Sequence, residues 1–156
     1  GLGMREVAKS LGISKSALYH YFPSKDALFQ GVVVEMVHAD FAAFDLPQLE
    51  SYPFSQRLSA LLDFILQQED WFARQTIILM DYVRVRQNNE GAAEMKVAIE
   101  MYVQQIVAFL GVTPAEAWSL ALQISGAITQ RLLDDRQTDF HQALSWIIDT
   151  LNKKYA

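Results

Sequence analysis

The segment Val7 to Phe29, VAKSLGISKSALYHYFPSKDALF, constrains this chain most, because it fits three helix signals and two tight turns into one short run. Val7, Ala8 and Leu11 give a first helix its apolar face, Gly12 can take the left-handed conformation at a helix C-terminus, and Ile13 re-enters the core. Ser14 caps a second helix, in which Leu18 and Phe22, four apart, fall on the buried side. Lys15, Ser16, Ala17, Tyr19, His20 and Tyr21 spread over the rest of it. The pattern predicts a helix-turn-helix, whose second helix docks in the DNA major groove. Lys15, Ser16 and Ala17 are expected at base edges or in the groove. Tyr19, His20, Tyr21 and Lys25 are expected mainly on phosphates, with partial burial an alternative for Tyr21.

Three runs carry a resemblance: Met4-Arg5-Glu6-Val7-Ala8, Leu11-Gly12-Ile13-Ser14-Lys15, and Leu18-Tyr19-His20-Tyr21-Phe22-Pro23-Ser24-Lys25-Asp26-Ala27-Leu28-Phe29. On these residues the chain resembles the TetR family of bacterial transcriptional repressors, most specifically in the tail that joins the second helix to the next. The resemblance covers the first fifth of the chain and supports Tyr19 and Lys25 most strongly as DNA contacts. It also implies a helix before Gly1, so the numbered chain is expected to be the ordered part of a longer protein. Gly3 departs from the family's Thr or Ser, which removes a hydroxyl from that cap.

Charge agrees with a DNA-reading head. The net charge of −5 divides unevenly, since residues 1–30 carry Arg5, Lys9, Lys15 and Lys25 against Glu6 and Asp26, or +2, leaving −7 for the remainder. With 156 residues, 51% of them hydrophobic, the chain can bury a core but not several independent ones. It has no cysteine, which excludes disulfides and thiolate metal sites and makes the cytoplasm the default compartment. No apolar run approaches the roughly twenty residues needed to span a bilayer, so no membrane partner is expected.

Downstream the pattern is helical throughout. Pro23 to Lys25 open a helix capped by Ser24, which continues through Val32, Val33, Met36, Val37 and Phe41 to Phe44 and could join head to body rigidly. Lys25 then sits in the first turn, where a bound phosphate would offset its conflict with the helix dipole. Asp45 to Pro53 reads as a loop, Ser55 as a cap, and Glu69-Asp70 as a break. A helix from Trp71 toward Arg86 follows, then a turn at Asn88, Asn89 and Gly91, then a helix ending at Gly111. Thr113-Pro114-Ala115-Glu116 has the form of a capping box with proline at the first helical position. The helix it opens has two apolar stripes. Trp118, Ala121, Ser125, Ile128 and Leu132 are expected to pack on the chain's own domain, and Ala117, Leu120, Ile124 and Ala127 to face a partner. A last helix, from about Phe140, points Leu144, Ile147, Ile148 and Leu151 inward and displaces Trp146. Two such helices per subunit would form a four-helix homodimer interface, as the resemblance also implies.

The expected fold is therefore all-α: a helix-turn-helix DNA-binding head at residues 1–30, lacking its first helix, on a helical effector-binding and dimerisation bundle at 31–156. His20, His38 and His141 lie on separate elements and no catalytic motif is present, so neither an enzyme, a metal site nor a cofactor is expected. A pocket for a small hydrophobic or aromatic effector is expected among Phe41, Phe64, Trp71, Met80, Tyr82, Met95, Ile99, Tyr102 and Gln123, the tyrosines and glutamine supplying sparse polar groups. The resulting expectation is a ligand-responsive repressor released from a palindromic stretch of double-stranded operator DNA. The alternative is a helical protein-interaction module without DNA-binding activity.

Overall fold

The computed structural model of the chain describes residues 3–42, 46–85 and 90–156. Every regular element among them is a helix. Two compact units form, Gly1–Asp40 and Phe41–Ala156. The first extends past the expected boundary at residue 30 because the third helix crosses that point without a break.

In the first unit, α1 (Met4–Ser10) and α2 (Lys15–Tyr21) pack on each other, and α3 (Lys25–Ala42) follows. The α1 C-terminus closes as a Schellman turn: the Ile13 N–H donates to the Ala8 carbonyl at 3.1 Å and the Gly12 N–H to Lys9 at 3.2 Å. That turn needs a left-handed residue, and Gly12 sits at φ 67°. Met4, Ala8 and Leu18 form the buried core, with Val7, Phe22 and Leu28 against it. Two expectations fail here. Leu11 is 60% exposed and Ile13 is also exposed, because the chain leaves the helical path at Leu11 and carries both side chains beyond this small core.

The second unit contains α4 (Leu46–Leu49), α5 (Phe54–Gln67), α6 (Glu69–Val85), α7 (Glu90–Leu110), α8 (Pro114–Leu133), α9 (Phe140–Ala143) and α10 (Ser145–Tyr155). Its core joins Leu58 and Leu62 of α5, Leu110 of α7, Leu120 of α8, Leu144, and Leu151 of α10. Each such burial contributes about 2 kcal/mol. Short α4 occupies part of the expected loop; Asn88 and Asn89 of the expected turn lie outside the described residues, as does Phe44, while Gly91, expected in that turn, lies within α7. Helix α5 starts one residue before Ser55. Pro53 accepts from the Gln56 and Arg57 N–H groups, and Phe54 is buried with its ring stacked on Tyr155 at 4.8 Å. The break between α5 and α6 falls at Gln68, so Glu69 and Asp70 open α6 instead of interrupting it. The last helix is divided at Leu144, whose side chain is buried at the joint.

Helix α8 begins as its sequence requires. The Glu116 carboxylate accepts from the Thr113 N–H at 2.9 Å, and the Thr113 hydroxyl accepts from the Glu116 N–H at 3.4 Å. Its facing differs from the expected one in part: Trp118, Ala121 and Ile128 pack on the chain's own core as expected, but the second stripe does so too. Ala117, Leu120, Ile124 and Ala127, expected at a partner, are buried in the chain's own core together with Ile128. The physical reason is close approach: the two alanines let α8 lie against its neighbours α6 and α7, so the stripe rich in small side chains is the inner one. Leu122, Ser125, Gly126, Thr129 and Leu133 are exposed instead.

Candidate nucleic-acid interface

The exposed surface of the first unit is centred on α2. Ser14 caps this helix, its hydroxyl accepting from the Ala17 N–H at 3.1 Å. Leu18 is buried and fixes the rotation of the helix. At about 100° per residue, Ser16 and His20, two positions either side of Leu18, project from the opposite side. Lys15 and Tyr19 flank that line on one edge, and partly buried Ala17 with Tyr21 on the other. Tyr21 is 73% exposed, which removes the partial burial considered for it. His20 meets the Tyr21 ring edge-on, with centroids 5.4 Å apart.

A second element is held against this one. The Ser24 hydroxyl accepts from the Ala27 N–H at 3.0 Å, capping α3 and leaving Lys25 exposed in its first turn. Gly31 lies in the interior of α3, where a Cβ would come within 2.9 Å of the Phe22 ring. The glycine therefore lets Phe22, the residue that ends α2, lie directly on α3. Sequence reasoning passed over this position, although a glycine inside a helix costs about 1 kcal/mol relative to alanine and so signals a packing reason.

Electrostatics suit an anionic partner. Arg5, Lys9, Lys15 and Lys25 are all exposed, and α2 carries no acidic residue in its first turn. Glu6 is turned to its own helix, its carboxylate accepting from the Gly3 N–H at 2.8 Å. This bond supplies a capping interaction that Gly3 cannot make with a side chain of its own. The outward set of hydroxyl, imidazole, phenol and ammonium groups can donate to phosphates and to base edges in a major groove.

The residues expected around an effector divide. Phe64 and Ile99 pack against the core of the second unit. The Tyr102 hydroxyl donates to the Gln75 side-chain oxygen at 2.9 Å, and Gln123 donates to the Ser119 hydroxyl at 3.1 Å. Buried Gln75 was not among the expected residues, because one glutamine in a helix carries no signal until its burial is known. Trp71 and Met80, the latter 61% exposed, lie on the surface and do not line the helix seam; α6 turns Phe72, Ala73, Gln75 and Thr76 inward. Phe41, Tyr82 and Met95 lie outside the residues whose side chains are described. Among the described residues no group of three or more His, Cys, Asp or Glu side chains could hold a metal ion.

Residues 1–32 match the family model for bacterial regulatory proteins of the tetR family, the span that contains α1, α2 and the start of α3. No curated protein matches the chain.

Proposed function

We propose, on the premise that this chain belongs to the TetR family of bacterial regulatory proteins, that it is a ligand-responsive repressor. It binds a palindromic operator as a homodimer and is released when a small hydrophobic or aromatic molecule enters the second unit. The observation that carries the reading is the outward face of α2, where Ser16 and His20 stand opposite buried Leu18 between Lys15, Tyr19 and Tyr21. Ser16, Ala17 and His20 read base edges, and Lys15, Tyr19, Tyr21 and Lys25 hold the sugar-phosphate backbone. No single helix among the described residues is long and apolar enough to cross a membrane. A cytoplasmic location follows from the DNA partner.

The homodimer uses the outer face of α8. Leu122 is 60% and Leu133 78% exposed, and Ser125, Gly126 and Thr129 lie between them, a mixture of bulky and small side chains suited to helix-on-helix packing. Trp146 of α10, 68% exposed, is a second anchor. A two-fold dimer brings two heads to half-sites roughly 34 Å apart or in a related spacing. An effector can weaken that binding only by its differential affinity for the two head spacings. Gln75, Tyr102 and Gln123 are the polar groups that orient it among apolar side chains.

The test is a fluorescence-anisotropy titration of the protein against DNA from upstream of its own gene and a scrambled control. Saturable binding on the order of tenfold or more tighter than the control supports the regulator. Equal, weak binding to both, repeated with operator candidates selected from random sequence, would overturn it and favour the interaction module.

A further inference from the structure

We infer that Tyr19 is a positioning residue for Lys15, its ring holding the lysine ammonium at the edge of the DNA-facing surface; the inference rests on the regulator reading above. Lys15 opens α2 and Tyr19 lies four residues on, the spacing that places two side chains one above the other on a helix. The Lys15 Nζ stands 5.5 Å from the centroid of the Tyr19 ring, inside the distance of about 6 Å at which a cation is drawn to an aromatic face.

Nothing nearby on α2 competes for this ammonium. The helix has no acidic residue in its first turn, and the Ser16 hydroxyl is engaged with that of Ser14 at 3.0 Å. A lysine stem is otherwise free to sample many rotamers, and that freedom is lost when the ammonium grips a phosphate. The ring removes part of the loss beforehand. It occupies one side of a group with three N–H donors, leaving the others for phosphate oxygens. Tyr19 thus acts on DNA through its ring and Lys15 in addition to the phosphate contact of its own hydroxyl. The two roles separate cleanly, because phenylalanine keeps the ring and drops the hydroxyl.

The experiment titrates a labelled mixed-sequence duplex of about 30 base pairs with the full chain over a range of salt, so that the phosphate contribution is read without knowledge of the operator. Tyr19→Leu should bind about two- to fivefold more weakly than Tyr19→Phe, the range an exposed cation–π contact supports, and move the salt slope toward that of Lys15→Ala. Tyr19→Phe should lose only what its hydroxyl contributes at a phosphate, and in a Lys15→Ala background Tyr19→Phe and Tyr19→Leu should bind alike. Equal losses in Tyr19→Phe and Tyr19→Leu, or a difference between the two that persists in the Lys15→Ala background, overturn the positioning role and leave the regulator reading intact. A wild-type protein that does not bind the duplex overturns both. Independently of any variant's folding, the Lys15 ε-protons of the free wild-type protein should show an upfield ring-current shift, and its absence also overturns the inference.

Discussion

Arg131 of α8 grips Glu69 of α6 with two hydrogen bonds, Nε to Oε1 at 2.5 Å and Nη2 to Oε2 at 3.1 Å. Both side chains are largely buried, and the remaining guanidinium nitrogen donates to the carbonyls of Arg136 and Thr138. One arginine therefore joins the start of α6, the end of α8 and the turn that follows. Arg136 in that turn reaches Asp70, and both Asp135 and Arg136 sit at positive φ, 53° and 65°. A fork of donors matched to a carboxylate is a geometry lysine cannot reproduce. Arg131→Met should lower stability by about 3 kcal/mol in urea unfolding, because it leaves a nearly buried carboxylate with only the longer, more exposed contact to Arg136 at 3.8 Å. Glu69→Leu combined with Arg131→Met should recover a measurable part of that loss. A double variant no more stable than Arg131→Met alone would show that the loss comes from the turn carbonyls and not from the pair.

Glu116 offers a pH-dependent counterpart. Hydrogen bonds from Lys154, then from the Tyr155 hydroxyl, and further ones from Thr113, hold its carboxyl down at about 2 from an ordinary value of 4.5. Because the folded value lies below the unfolded one, the unfolded chain binds more protons in this interval and stability rises with pH across it. The contribution is complete above about pH 4.5 and disappears as pH falls through about 2. Glu116→Gln should therefore be less stable than the wild type at neutral pH, with the gap narrowing through this window. A gap that stays constant on acidification would remove the charged form from the account. Thr113→Ala, which also removes the cap, should cost about 1 kcal/mol at neutral pH.

The helix caps and turns were legible because they depend on neighbours in sequence. Ser14, Ser24, Gly12 and the Thr113–Glu116 box act where their residue types predict. The rotation of α8 was not legible, since both stripes are apolar enough to be buried and only packing between distant helices decides between them. The same limit applies to Trp71 and Met80, which are hydrophobic at helical spacing yet lie outside the seam. Long-range polar pairs such as Arg131 with Glu69 and Tyr102 with Gln75 leave no trace in the local pattern. For the head, the positions around Leu18 followed directly from helical geometry once its burial was assumed. What Gly31 does required the Phe22 ring to be seen beside it.

Helix α8 gives the proposed dimer its sharpest test. Leu122 contacts water in the single chain, so Leu122→Arg should leave the fold of the monomer unchanged, with an effect on stability within about 0.5 kcal/mol. It should at the same time shift sedimentation from dimer to monomer, because an arginine at the centre of a two-fold contact meets its own copy. Ala117→Arg should instead unfold the second unit, since Ala117 is fully buried in the chain's own core. Sedimentation in which Leu122→Arg remains dimeric would place the subunit contact on another face.

The head calls for a pair of substitutions with different signatures. Lys25, exposed in the first turn of α3, is assigned to a phosphate. Lys25→Ala should weaken binding to every duplex by a similar factor and flatten the salt dependence by about one unit of slope. His20 faces away from Leu18 beside Ser16 and is the group proposed to meet a base edge. His20→Ala should weaken operator binding by about 1–3 kcal/mol, leave mixed-sequence binding nearly unchanged, and relax preference at one position of each half-site. Anisotropy titrations on both duplexes over a salt series measure all of these quantities. If His20→Ala instead lowers affinity for both duplexes equally, His20 joins Lys25 as a backbone contact, and Ser16 with Ala17 remains the group reading bases.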